Sequence, residues 1–119
     1  MATNTAYTAA QTIGTDFPNK AHGYITYPAT SIVAADSTVI ACGFKPRYVQ
    51  WVDVTSRIQI EWFEGMAANT CIKTAAAGTR TLETTNGGIT VSDTGFSVLQ
   101  NATLAAILAS EVVAWKAND

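Results

Sequence analysis

Hydrophobic and polar residues alternate most regularly between positions 48 and 63. Tyr48-Val49-Gln50-Trp51-Val52-Asp53-Val54 places Val49, Trp51 and Asp53 on one side of an extended chain, with Tyr48, Gln50, Val52 and Val54 on the other. Arg57-Ile58-Gln59-Ile60-Glu61-Trp62-Phe63 sets Ile58, Ile60 and Trp62 against Gln59, Glu61 and Phe63. A helix needs apolar residues at a period of 3.6, which this run lacks. Only Thr55 and Ser56 lie between the two runs, so the pattern predicts a hairpin with a two-residue loop. With two of the three tryptophans in it, this hairpin is expected at the centre of a sheet.

Shorter strands are predicted on either side. Gly23–Pro28 alternates and ends at a proline, which stops a strand or places it at an edge. Ser31–Ala35 is a short apolar piece broken by Asp36-Ser37. Thr38–Cys42 is a continuous apolar run, the mark of a strand buried on both faces. Beyond the hairpin, Thr70–Thr74 and Arg80–Thr85 are strand-like, and Ile89-Thr90-Val91 resumes a strand after Asn86-Gly87-Gly88. Asn and Gly tolerate positive φ, so Arg80–Val91 is expected to be a second hairpin. Asp93-Thr94-Gly95 is a further turn, followed by the extended Phe96-Ser97-Val98.

Asn101–Ser110 is the one helix candidate, with Asn101 as N-cap and Leu104, Ile107 and Leu108 on one stripe. Glu111–Lys116 closes the chain as a strand with Val113 and Trp115 on one face. Strands this short, separated by turn signals every 8 to 12 residues, predict an all-β fold. The expected form is a compact, jelly-roll-like antiparallel β-sandwich of about eight strands, with one short helix near the C-terminus.

Residues 1–20 stand apart from this pattern. They are rich in Thr, Ala and Asn, too polar to fix their own conformation. They are expected to be either disordered or an N-terminal arm that orders only on binding, with residues 21–119 as the β-sandwich domain.

Composition narrows the functional classes. The 119 residues make one ordinary domain, and the 48% apolar fraction is that of a globular protein. Charged residues make up 13%, about half the usual share of roughly 25%. A surface so poor in Lys and Glu is weakly protected against association, which favours a subunit of an assembly. Net charge is −2 and the densest cationic cluster is Lys45-Pro46-Arg47, so no nucleic-acid partner is expected. No run approaches the length of a membrane span, and the first residues lack the pattern of a secretory signal.

No catalytic constellation emerges, and no enzyme activity, cofactor site or metal site is expected. Glu61 and Glu64 flank Trp62-Phe63 as an acid pair beside a sugar-stacking platform would. Residues three apart on a strand face opposite sides, so they read better as a solvated strand face and a loop acid. His22 has no Cys, Asp or Glu at ligand spacing, and no GxSxG elbow exists. Cys42 and Cys71 lack CxxC spacing and are expected to be two buried thiols. The candidate partner-facing residues are Tyr7, Ile13 and Phe17 of the arm and three arginines, Arg47, Arg57 and Arg80. The arginines can pair with Glu61, Glu64 or Glu83, between subunits or across strands of one chain.

The stretches Gly43–Val49, Val54–Ile58 and Glu61–Met66 form a pattern that resembles small virion structural proteins of tailed bacteriophages. Ala77–Thr85, Gly88–Val91, Gly95-Phe96 and Val113–Ala117 extend the resemblance over about the last two thirds of the chain. It is to short head proteins of the decoration or cement type. That implies a small β fold, no enzyme activity, the major capsid protein as partner and a homo-oligomer, with a trimer favoured. It also implies synthesis in the host cytoplasm and residence on the capsid surface of the virion. Tail-fibre and head-fibre modules that bind a host receptor or carbohydrate look alike at this level and are the alternative.

Overall fold

A computed structural model of the chain describes residues 8–13 (backbone only), 20–27, 36–85, 87–99 and 111–118. Ten strands are found among them, in two antiparallel sheets, so the protein is all-β. The strands are β1 (Thr8–Ile13), β2 (Lys20–Thr26), β3 (Ser37–Ala41), β4 (Tyr48–Asp53) and β5 (Ile58–Phe63). They continue as β6 (Cys71–Thr74), β7 (Arg80–Glu83), β8 (Ile89–Ser92), β9 (Gly95–Leu99) and β10 (Val112–Asn118). The predicted helix over Asn101–Ser110 lies outside the described residues, as does the apolar piece Ser31–Ala35.

The larger sheet has the order β1-β2-β10-β4-β5-β6-β7, and the smaller has β3-β9-β8. β4 is the middle strand of seven, where the alternating run was expected. The closing strand β10 is inserted beside it, with Trp115 opposite Trp51 on one side and Gly23 on the other. Backbone bonds extend these ladders past the strand ends, from Tyr27 N–H to Glu111 O (3.0 Å) and from Arg47 N–H to Asn118 O (2.8 Å). Residues 8–13, within the stretch read as an arm, run antiparallel to β2 as an edge strand, from Thr8 opposite Thr26 to Ile13 opposite Ala21.

The inner faces follow the period of two. Val49, Trp51 and Asp53 of β4, Ile60 and Trp62 of β5, and Val113, Trp115 and Ala117 of β10 are all buried. From the small sheet, Ile40, Ile89, Phe96 and Val98 join the same core. Phe96 holds the sheets together at the centre. Its ring stands edge-on to Trp51 (6.2 Å, 87°) and to Trp115 (5.5 Å, 70°), the T-shaped geometry that aromatic quadrupoles favour.

Three local expectations need correction. The β4–β5 loop has four residues, 54–57, because Asp53 pairs with Ile58 and Arg57 takes up a left-handed conformation (φ 60°). Asp53 Oδ1 accepts the Ser56 N–H at 2.9 Å, an Asx-type bond that closes the wider turn. β3 is not buried on both faces. Its Val39 is half-buried and its Ala41 is exposed, and β9 is its ladder neighbour among the described strands. Finally, Arg80–Val91 is no hairpin. β7 pairs with β6 in the large sheet and β8 pairs with β9 in the small one.

The glycines there serve a crossover between sheets. A Cβ on Gly88 would fall 2.4 Å from the Thr70 carbonyl carbon, so only glycine lets the chain lie against Thr70. Asn69 Oδ1 accepts the Gly88 N–H (3.1 Å), and Ile89 N–H donates to Thr70 O (3.1 Å). The true two-residue hairpin is Asp93-Thr94 between β8 and β9.

Candidate functional site

The outer face of the large sheet is the broadest candidate surface. On β4 and β5, the side chains opposite the core are Tyr48, Gln50, Val52, Gln59, Glu61 and Phe63. Glu61 organises this face. Its Oε2 accepts the Tyr48 hydroxyl at 2.7 Å, and its Oε1 pairs with the Arg80 guanidinium at 3.3 Å. The Tyr48 ring tilts against Phe63 (5.0 Å), and the Lys116 ammonium stands 6.0 Å above that ring. Burial and the neighbouring carboxylate of Glu61 push the Tyr48 hydroxyl well above its ordinary pKa, so it donates throughout the physiological range.

Large apolar groups are left facing solvent around this network. Tyr24 is 52% exposed, Phe63 43% and Leu82 63%. The same face holds a shallow groove lined by His22, Gln50, Val52, Ala114, Trp115 and Lys116. A second hollow beside Leu82 is lined by Met66, Ala67, Thr70 and Thr84.

The arginines singled out from sequence separate here. Arg80 is drawn into the Glu61 network, and Arg47 pairs with Glu64 at 3.6 Å, with both side chains mostly exposed. Both pairs form within the chain, and an exposed pair such as Arg47–Glu64 contributes little to stability. Arg57 is exposed in the β4–β5 turn. Ile13 ends β1, and Tyr7 and Phe17 lie outside the described residues. Glu61 and Glu64 do not converge: Glu61 faces Tyr48 and Arg80, whereas Glu64 lies past the end of β5 against Arg47.

Cys42 and Cys71 are both free and buried. Burial raises both thiols, Cys71 to about 12, so neither is a ready nucleophile. No group of three or more His, Cys, Asp or Glu side chains able to hold a metal occurs among the described residues.

Sequence reading missed a second acid pair. Asp53 is fully buried and Glu111 nearly so. Asp53 lies opposite Val113, and Glu111 precedes Val113 by two positions, so the two are diagonal neighbours on the inner face. Ser56 touches both, donating its N–H to Asp53 Oδ1 and its hydroxyl to Glu111 Oε1. The other oxygens, Asp53 Oδ2 and Glu111 Oε2, are buried without a partner. Burial, then the charge of Glu111, raise the Asp53 carboxyl to about 6 against the opposing pull of the Ser56 N–H. The one available signal was Asp53 itself, a carboxylate in phase with Val49 and Trp51.

No family model, curated protein or solved structure matches the chain.

Proposed function

We propose that this chain is a non-enzymatic structural protein of a tailed-phage virion, a decoration protein that binds the outer capsid lattice and reinforces the head. In this reading the two sheets form a compact β-sandwich, the working unit is a homotrimer and the partner is the major capsid protein. The observation that carries the proposal is the outer face of the seven-stranded sheet, where Tyr24, Phe63 and Leu82 stand exposed on a domain with 13% charged residues. Exposed apolar groups on a sparsely charged surface mark an association surface. The resemblance of the last two thirds of the chain to phage head proteins supplies the partner.

The mechanism is burial of this face between neighbouring capsid subunits, repeated over the lattice. A standard interface buries about 1,200–2,000 Å² in total, and a trimer engages three such sites at once. The test is binding to purified empty heads. The double variant Tyr24→Lys, Leu82→Lys alters two exposed positions and is expected to leave folding stability within about 0.5 kcal/mol. It is expected to weaken head binding at least ~10-fold, a loss of about 1.4 kcal/mol. Binding at parental affinity would overturn the assignment of this face.

The alternative is a fibre module that binds host carbohydrate. The groove lined by His22, Gln50, Trp115 and Lys116 is the feature that favours it.

A further inference from the structure

The interior of the large sheet holds one arrangement that a structural role alone leaves unexplained. Two buried carboxylates, Asp53 and Glu111, are bridged by Ser56, and each has one oxygen bonded to that residue and one with no partner. Burying two unpaired negative charges near each other is costly, and such pairs relieve the cost by keeping a proton. The stretches 28–35 and 100–110, which adjoin Tyr27 and Glu111 in the chain, contain no Lys, Arg or His. The oxygens in question are sealed from solvent, so no side chain of a partner reaches them.

We infer that Asp53 and Glu111 share a single proton between Oδ2 and Oε2, and that this proton locks the β4–β5 turn onto the start of β10. Below about pH 6 Asp53 keeps the proton and the two unpartnered oxygens are joined through it. When the proton leaves, two like charges face each other across adjacent strands. The turn is the element free to respond. Its ties to β10 are Ser56 to Glu111, Val54 N–H to Val112 O (2.9 Å) and Val112 N–H to Thr55 Oγ1 (3.0 Å).

The groups around the pair are few. From β4 and its turn come Asp53 itself, Thr55, Ser56 and the exposed Arg57; from β10 comes Glu111. From β2, Tyr27 supplies its N–H to the Glu111 carbonyl, and its hydroxyl bonds Thr38 of β3 at 2.6 Å. Asp36, buried just before β3, is the other acid on the β3 side. Among these, Glu111 is the charge that acts on Asp53.

The sign follows from linkage. The folded chain holds its proton up to about pH 6, whereas an ordinary aspartate releases it near 3.8. The stabilisation is therefore complete below about 3.8 and is lost as pH rises through about 6.

Asp53→Asn tests this, because the amide keeps the acceptor for Ser56 and offers an N–H to Glu111 Oε2 with no charge to lose. Its Tm is expected to lie within about 2 °C of the parent's at pH 4 and roughly 5 °C or more above it at pH 8. Carboxyl carbon NMR on the parent reads the site directly. Asp53 is expected to titrate near pH 6, and in Glu111→Gln its midpoint is expected to fall towards the ordinary value. Parallel Tm profiles for parent and Asp53→Asn, or an Asp53 midpoint near 4 in the parent, would overturn the proposal. So would a Tm gain on adding calcium at pH 8 that Asp53→Asn abolishes, because the bridge would then be a cation and not a proton.

Discussion

Single residues decide where this fold has no slack. Gly95 opens β9 with its Cα pressed on β3. A Cβ there would fall 1.9 Å from the Ile40 carbonyl oxygen, which is backbone and cannot swing away. Gly95→Ala is therefore expected to destabilise the protein by about 3 kcal/mol, read as a lower denaturant midpoint at unchanged m. A midpoint equal to the parent's would mean that β3 and β9 can part without cost. Residues of this kind are poorly legible in sequence. Gly88 and Gly95 look like turn formers, but what requires glycine at both is the backbone of a distant strand. Asp53 hid for a related reason. Its position in the Val49–Trp51 phase showed that it pointed inward, but only the register of β10 revealed that Glu111 would meet it.

At the scale of elements, local pattern located most strands and failed on pairing. β4 and β5 were legible because alternation, aromatic content and spacing all agreed. β10 was legible as a strand, and nothing local says that the last strand sits between β2 and β4. The second hairpin was misread because Asn86-Gly87-Gly88 has turn chemistry whether the chain doubles back or crosses to another sheet. These positions also set what each element is worth. β10 has a partner on both sides, whereas β1 is an edge strand held by β2 alone among the described residues. Deleting residues 1–16 removes β1 and is expected to leave the rest folded, with a cooperative melt and the parental β signature in circular dichroism. If the arm acts as a clamp, the same deletion weakens binding to phage heads. Unchanged affinity would remove the arm from the mechanism, and loss of the cooperative melt would show that β1 is structural.

At the scale of the molecule, an aromatic core and a sparsely charged exterior play different parts. Trp51, Phe96 and Trp115 join the sheets from within, and Tyr27, tied to Thr38, adds a second link nearer one end. Outside, the Tyr48–Glu61–Arg80 network ties β4, β5 and β7, and Tyr24, Phe63 and Leu82 stand exposed on the same face. Composition announced the low charge of the chain as a whole. It did not reveal which residues form that face, because that depends on which strands lie side by side. The account's central claim is that this face covers a phage head. The most direct measurement is gold-labelled antibody against the chain on virions produced from the genome that encodes it, viewed by electron microscopy. Label distributed over the head is the predicted result. Label confined to the tail tip or fibres, or no label on the particle, would contradict it.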